Sequence, residues 1–191
     1  MTPAKALQTA HGPIAIPQGP PWKVYVAGAW PFENNWLEIA DRIRALCIEN
    51  NLEPIFLAPD EGNRPTFTNP WSTKSYIFHH HDQQLQASNV IIANLNPFKG
   101  YEPDCGTAWE CGAAYMYGHK MYGYMDSLAP LIHKIPNVVG EDGRHYDMYG
   151  SVVDDFDYPA DLRFGSSMKL FEGKFETVVR QVALDLGAIT E

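Results

Sequence analysis

The sequence has no long hydrophobic run and no cluster of basic residues. No apolar stretch approaches the roughly 18 to 20 residues of a membrane-spanning helix, and the N-terminus lacks the basic-then-apolar order of a secretory signal. Its 14 Lys and Arg against 23 Asp and Glu give a formal net charge of -9, the wrong sign for binding a phosphate backbone. These absences predict a cytoplasmic protein that binds neither membranes nor nucleic acid.

Cysteine is also scarce, with only Cys47, Cys105 and Cys111 in the chain. An odd number of cysteines without a secretion signal argues against a disulfide framework. The spacing of Cys105 and Cys111 matches no common zinc motif, and the run from His79 to Asp82 would turn by about 100° per residue on a helix, so its histidines cannot converge on one ion. We therefore expect free thiols, no bound metal and no organic cofactor.

Proline is concentrated at the N-terminus, where 5 of the 15 prolines fall within the first 21 residues. Each proline fixes φ and removes a hydrogen-bond donor, so we expect no regular structure there. The remaining chain, with 45% hydrophobic and 19% charged residues overall, suffices for one packed core. We predict a Pro-rich extension over residues 1–22 and one folded domain over residues 23–191.

Within that domain, strand and helix patterns alternate along the chain. The unbroken apolar centre of residues 89–95 is typical of a parallel strand covered on both faces. The alternation predicts a doubly wound α/β fold with a parallel sheet, and residues 127–165 read mainly as loop. The predicted strands are 23–27, 52–57, 89–95 and 120–124, and the predicted helices are 36–50, 73–88, 106–117 and 174–186.

The fold class predicts where a ligand binds, because doubly wound sheets hold ligands beyond the carboxyl ends of their strands. The loops concerned span residues 28–35, 59–70 and 96–106. The last of them contains Asp104, just before a predicted helix that carries Glu110. Asp104 reads equally well as a helix N-cap. Glu110 is either an exposed helical glutamate or, among its apolar and small neighbours, a carboxylate with a function.

Two acids close together suit displacement at an anomeric carbon, where one carboxylate is the nucleophile and the other moves the proton. Residues 89–112, with the pieces NLNPFKG, EPDCGTAWE and CG, resemble the signature of the nucleoside 2-deoxyribosyltransferases, and Val24 to Gly28 resembles their first strand. This resemblance implies a flavodoxin-like fold, homo-oligomers that share active sites, and a role in nucleotide salvage. The implied reaction exchanges the base of a 2'-deoxynucleoside with a free nucleobase through a covalent deoxyribosyl-glutamate.

The resemblance also assigns roles to individual residues. It makes Glu110 the nucleophile, Asp104 an acid that contacts the nucleoside and assists proton transfer, and Tyr25 the residue that holds the nucleophile. A tyrosine hydroxyl that donates to a carboxylate favours its ionised form. Near the crevice, Gly28, Trp30 and Phe98 are candidates for binding the base, although core packing explains each aromatic ring equally well.

Two positions depart from the family pattern. In the family, an acid or amide on a helix faces the base. The corresponding position in this sequence is His81, with Asp82 one position further. His81 either projects into the site or packs in the core beside Ile77 and Leu85. Asp161 stands where the family usually has an asparagine from a neighbouring subunit, and an ionised carboxylate accepts hydrogen bonds but cannot donate them.

These departures leave two other functions open. One is hydrolysis of the N-glycosidic bond of a (deoxy)nucleoside or a nucleoside 5'-monophosphate. Asp161 and the net charge favour an uncharged nucleoside, yet Arg163, Ser166 and Ser167 keep the monophosphate open as a substrate. A non-catalytic nucleotide sensor on the same fold is the third alternative. The sequence leaves the choice of purine or pyrimidine, of deoxyribose or ribose, and the oligomer order undetermined.

Overall fold

The computed structural model describes residues 8–9, 12–13, 19–55 and 70–190. The predicted loop 59–70 therefore lies outside the described residues except for Pro70. Within the described ranges, no helix is both long enough and apolar enough to cross a bilayer.

The domain is organised around one parallel sheet of five strands. Its order is β2-β1-β3-β4-β5, and every neighbouring pair is parallel. This order confirms the predicted doubly wound α/β fold and is the flavodoxin-like arrangement, which places a ligand crevice where β1 and β3 meet. The strands are β1 (Lys23–Ala27), β2 (Glu53–Ile55), β3 (Val90–Asn94), β4 (Lys120–Met125) and β5 (Lys169–Glu172).

Helices cover both faces of this sheet. Pro70 opens α2, at the first helical position where a missing N–H costs nothing. The helices are α1 (Trp36–Glu49), α2 (Pro70–Ala87), α3 (Cys105–Tyr117), α4 (Leu131–Lys134), α5 (Leu162–Ser167) and α6 (Phe175–Asp185), and a 3-10 turn spans Trp30–Phe32.

Two hydrophobic clusters form the core, one on each face of the sheet. Val24 and Val26 of β1 pack with α1 and α6, whereas Tyr25 and Ala27 pack on the opposite face with Leu85 of α2 and with α3. Successive side chains of a strand point to opposite faces, so this alternation directs Tyr25 toward α2 and α3.

The part after β4 differs most from the sequence prediction. Residues 127–165 contain α4, the start of α5 and an antiparallel pair of short strands, Val138–Val139 with His145–Tyr146. Strand β5 was not predicted, because its four residues alternate only partly and its two ends are exposed. It is an edge strand that pairs only with β4 among the described strands. A short, partly exposed edge strand shows neither a continuous apolar run nor a clear alternation of apolar and polar residues in the sequence.

The N-terminal extension also departs from the expectation of no regular structure. Gln8–Thr9 pairs antiparallel with Gly12–Pro13. Further along, the Asn89 side chain donates to the carbonyls of Gly19 and Pro21 at 3.0 and 3.2 Å and accepts from the Lys23 amide at 2.8 Å. These bonds attach the end of the extension to the start of β3, while the division at residue 22 stays a prediction.

Candidate active site

The start of α3 is held by Asp104. The Asp104 side chain accepts hydrogen bonds at Oδ2 from the Thr107 amide at 3.0 Å and from the Thr107 hydroxyl at 3.3 Å. Asp104 is therefore the N-cap of α3, the alternative that its position in the sequence left open. The cap fixes the first turns of the helix and hence the direction of Glu110, which lies six residues further along the chain.

Three predicted site residues meet on the α2–α3 face of the sheet. The hydroxyl of Tyr25, on β1, donates to Glu110 Oε1, on α3, at 2.6 Å. The ring atom Nδ1 of His81, on α2, lies 3.2 Å from the same oxygen and 3.4 Å from the Tyr25 hydroxyl. The Glu110 side chain is 13% exposed and that of His81 is 30% exposed. The carboxylate is thus mostly enclosed, with two donors aimed at one of its oxygens.

Burial controls the ionisation of the groups around Glu110. Burial first, and then the charge of Glu110 and the hydrogen bond to it, raise the pKa of Tyr25 far above its ordinary value. The phenol therefore stays protonated and donates at every physiological pH. Burial and the charge of Glu110 likewise raise the pKa of Cys111 to about 12, so its thiol does not compete as a nucleophile.

The hydrogen bonds also determine which nitrogen of His81 carries a fixed proton. An ionised carboxylate only accepts, and the single phenolic proton of Tyr25 is already donated to Glu110. Nδ1 of His81 must therefore carry hydrogen in order to lie against Glu110 Oε1. Nε2, the other ring nitrogen, makes no hydrogen bond within the described residues, so it is the nitrogen left to contact a ligand.

Asp82 is bonded elsewhere. Its carboxylate accepts from the Tyr117 hydroxyl at 2.8 Å and from Gln86 Nε2 at 2.8 Å, which links α2 to the last turn of α3. The structure thus brings His81, and not its neighbour Asp82, to Glu110. Helical geometry explains this, because adjacent residues differ in direction by about 100°.

Asp161 lies at the N-terminus of α5, where it is the N-cap. It accepts from the Arg163 amide at 2.8 Å, and its other oxygen pairs with the Arg163 guanidinium at 2.8 Å. The sequence suggested that the Asp161 carboxylate disfavours a charged substrate such as a phosphate. The positive charge of the Arg163 guanidinium offsets that repulsion. Burial, followed by the charges of Asp161 and Asp154, raises the pKa of Glu102 on the loop before α3, so α5 lies close to that loop.

The remaining predicted residues lie toward the opposite face of the sheet. Trp30 packs against the α1–α6 core and donates from Nε1 to the Val26 carbonyl at 3.4 Å. Phe98 stacks on Phe32 with ring centroids 5.3 Å apart. A Cβ atom added to Gly28 would lie 3.0 Å from the Asn94 Cβ, so Gly28 permits close packing of two strand ends. Their assignment to the base stays a prediction.

Trp30 and Phe98 line a cavity of about 570 Å³ between α1, α6 and the carboxyl ends of β3 and β4. Sequence reasoning missed the polar residues of this cavity. Asn94 ends β3 and Tyr124 is the last residue but one of β4, and this position at the carboxyl ends of the strands is the signal that could have identified them.

Aromatic side chains are exposed beside the Glu110 cluster. Phe78 of α2 and Trp109 of α3 meet edge to face with ring centroids 5.2 Å apart, and each is 47% exposed. Met116, two turns further along α3 on the same face as Trp109, is also exposed. We refer to Phe78, Trp109 and Met116 as the α2–α3 aromatic surface. Within the described ranges, no group of three or more His, Cys, Asp or Glu side chains is arranged to hold a metal ion.

The fold and the cluster together define a flavodoxin-like α/β protein with an enclosed glutamate held by a tyrosine and a histidine. Comparison with known proteins agrees. The sequence profile described as nucleoside 2-deoxyribosyltransferase matches residues 24–163. The chain therefore belongs to the nucleoside 2-deoxyribosyltransferase family, as its EPDCGTAWE segment indicated.

Solved structures extend the likeness over most of the chain. A 2-desoxiribosyltransferase from Leishmania mexicana is 26% identical with a TM-score of 0.64, covering 85% of this chain and 97% of that one. The 2-deoxyribosyltransferase of Bacillus psychrosaccharolyticus shares the fold at 16% identity and a TM-score of 0.51, covering 83% of this chain and 90% of that one. No curated protein sequence matches the chain significantly.

Proposed function

We propose that this protein exchanges the nucleobase of a 2'-deoxynucleoside with a free base through a covalent deoxyribosyl-Glu110 ester. The observation that carries the proposal is the 2.6 Å hydrogen bond from Tyr25 to Glu110 Oε1 in an enclosed setting. Because Tyr25 and His81 both lie at Oε1, the other oxygen, Oε2, is left for attack on C1' of the sugar. Attack forms the ester bond and breaks the glycosidic bond, whose electron pair leaves with the base.

The departing base needs a proton, and we propose that His81 supplies it. With Nδ1 donating to Glu110, the cationic ring gives its Nε2 proton to the base, which departs neutral while His81 becomes neutral. In the second half-reaction the incoming base gives its N–H proton to Nε2 and attacks C1', which releases Glu110 as carboxylate. Protons and electrons balance over the cycle, so neither an oxidant nor a reductant is consumed.

We also propose that the α2–α3 aromatic surface packs against a second copy of the chain. Exposed apolar patches of this kind mark interaction sites, and Trp109 directly precedes the nucleophile in sequence. A partner over this surface would shield the ester from water, which favours transfer to a base over hydrolysis. A homo-oligomer that shares its active sites is therefore part of the proposal, and Asp104 keeps its predicted contact with the nucleoside.

The direct test is base exchange. The protein is incubated with 2'-deoxyadenosine and free thymine or hypoxanthine, and new nucleoside and free deoxyribose are quantified by chromatography. We expect new nucleoside from the natural chain and none from Glu110→Gln, with full activity in the matched surface control Glu141→Gln. Turnover by Glu110→Gln at the natural rate would refute the assignment of the nucleophile.

The role of His81 has its own test, based on a substrate whose base needs no proton. The base of 7-methyl-2'-deoxyguanosine is already cationic and departs neutral without acid catalysis. We expect His81→Asn to lose about 10²- to 10⁴-fold in kcat/KM with 2'-deoxyadenosine, the usual range for general acid catalysis, and far less with the methylated substrate. An equal loss with both substrates would contradict proton transfer and leave only a positioning role for His81.

Hydrolysis of a nucleoside 5'-monophosphate is the second candidate, since the Arg163 guanidinium pairs with Asp161 at α5 and so neutralises the carboxylate that would repel a phosphate. If this reading holds, 2'-deoxyadenosine 5'-monophosphate will release adenine without a base acceptor, and Arg163→Gln will abolish the reaction. If kcat/KM for base exchange of 2'-deoxyadenosine is higher than kcat/KM for hydrolysis of its 5'-monophosphate, monophosphate hydrolysis is excluded as the main function.

A further inference from the structure

The cavity between α1 and α6 lies on the other face of the sheet from Glu110. Its inner end is formed by the paired residues Asn94 of β3 and Tyr124 of β4. Tyr124 belongs to the α1–α6 core, whereas Tyr25 belongs to the core on the α2–α3 side. At about 570 Å³ the cavity has the size of small-molecule sites in proteins, typically roughly 300 to 1,000 Å³.

The cavity is lined by a hydroxyl group that has no partner among the described residues. Tyr124 is 7% exposed, and its hydroxyl makes no hydrogen bond within the part of the chain that the structure describes. Burial, followed by the charges of Glu176 and Asp126, raises the pKa of this phenol, so it remains a donor. The only fully buried side-chain polar atom without a partner among the described residues is Gln84 Oε1, so the Tyr124 hydroxyl is accessible from the cavity and can donate to a ligand there.

A second donor belongs to Asn94, which is paired with Tyr124 across β3 and β4 and also lines the cavity. Asn94 Oδ1 accepts from the Asn96 backbone amide at 3.0 Å and from Asn96 Nδ2 at 2.9 Å, which determines the orientation of the Asn94 amide. Its Nδ2 group therefore points away from those bonds, and no hydrogen bond from it occurs in the described ranges. Two donors from adjacent strand ends suit a planar ligand with acceptor atoms along one edge.

The walls and the rim restrict the class of ligand further. Trp30 and Phe98 provide aromatic surface against which a flat ring can pack. Three carboxylates, of Glu33, Glu38 and Glu176, line the cavity against the single guanidinium of Arg42. This excess of negative charge disfavours phosphates and carboxylates as ligands.

We propose that this cavity is a second binding site, distinct from the Glu110 cluster, for an uncharged planar heterocycle of nucleobase or nucleoside type. The heterocycle accepts hydrogen bonds from the Tyr124 hydroxyl and from Asn94 Nδ2, and its ring packs against Trp30 and Phe98. The proposal does not depend on the chemistry at Glu110, because the two sites lie on opposite faces of the sheet.

The test measures binding without turnover. Adenosine is titrated calorimetrically into Glu110→Gln, into Glu110→Gln with Tyr124→Phe, and into Glu110→Gln with Tyr122→Phe. Tyr122 lies on the same strand but donates to Asp185 at 2.8 Å, so it is a matched control outside the cavity. We expect Tyr124→Phe to weaken one binding event about five- to tenfold, the effect of one hydrogen bond, and Tyr122→Phe to leave it unchanged.

Adenosine 5'-monophosphate tests the charge argument, since it adds only a phosphate to the same heterocycle. We expect it to bind the cavity at least tenfold more weakly than adenosine, and Glu176→Gln to narrow the difference. Adenosine binding that is insensitive to Tyr124→Phe, or a structure with adenosine soaked in that shows only water at Tyr124, would overturn the proposal. Absence of base exchange would instead refute the function at Glu110 and leave the cavity result standing.

Discussion

Replacing Tyr25 by phenylalanine tests the central contact of the proposed site. The substitution removes one hydroxyl and keeps the ring that packs between β1, α2 and α3. The lost bond is short, 2.6 Å, and its acceptor is the Glu110 carboxylate. A hydrogen bond to a charged group contributes roughly 1.5 to 3 kcal/mol, which corresponds to about a 10- to 150-fold change in rate.

The remaining contacts place the expected loss within that range. After the substitution His81 Nδ1 still lies 3.2 Å from Glu110 Oε1, so the carboxylate keeps one donor. We therefore expect kcat/KM for base exchange to fall nearer tenfold than 150-fold. Because both donors serve one oxygen, Tyr25→Phe combined with His81→Asn should lose more than the product of the two single losses. The substrate 7-methyl-2'-deoxyguanosine removes proton transfer from this comparison.

The assay is steady-state kinetics of base exchange, with thermal unfolding measured on the same preparations. Tyr146→Phe is the matched control, since Tyr146 also donates to a carboxylate, that of Asp142, at 2.8 Å but on the exposed hairpin. Unchanged kcat/KM in Tyr25→Phe would refute the reasoning, as would a loss no larger than the fraction of protein unfolded. Additive losses in the double variant would show that the two donors do not share an oxygen in solution.

Three further predictions concern stability. His119 is buried, with its ring nitrogens near the Ala114 and Leu85 carbonyls and the Ser88 hydroxyl, and burial lowers its pKa below the ordinary 6.5. As the pH falls, the unfolded chain therefore binds a proton at His119 before the folded chain does. The contribution of neutral His119 to the free energy of unfolding is fully present above about pH 6.5 and decreases at lower pH by up to about 1.4 kcal/mol per pH unit. Urea unfolding between pH 7.5 and 5.5 should show this slope in the natural chain and not in His119→Gln. Asp104→Ala should lower the free energy of unfolding by about 1 kcal/mol through loss of the α3 cap, whereas Asp104→Asn should retain most of it, and equal losses would contradict the capping role. Gly165→Ala should be strongly destabilising in thermal unfolding, because the new Cβ would lie 1.9 Å from a ring carbon of Tyr158, whose hydroxyl donates to the Gly165 carbonyl; a variant of unchanged Tm would refute the packing of α5.

The sequence alone determined the main architecture and the identity of the nucleophile candidate. Alternation of apolar strands with amphipathic helices predicts a parallel sheet, because buried parallel strands read as continuous apolar runs. The four strands predicted from such runs are present, and the segment around Glu110 indicated the family. Local patterns of this kind arise from single elements, so a sequence displays them directly.

The tertiary structure decided which further side chains meet. The family resemblance had already paired Tyr25 with Glu110 although they are 85 positions apart. The choice between His81 and Asp82, by contrast, depends on how α2 is rotated against α3, which no local pattern records. Packing likewise turned Trp30 toward α1 and α6, and it joined β5 to the sheet edge although four partly exposed residues carry almost no periodic signal. Contacts between distant elements depend on packing direction and helix rotation, and these are properties of the assembled core.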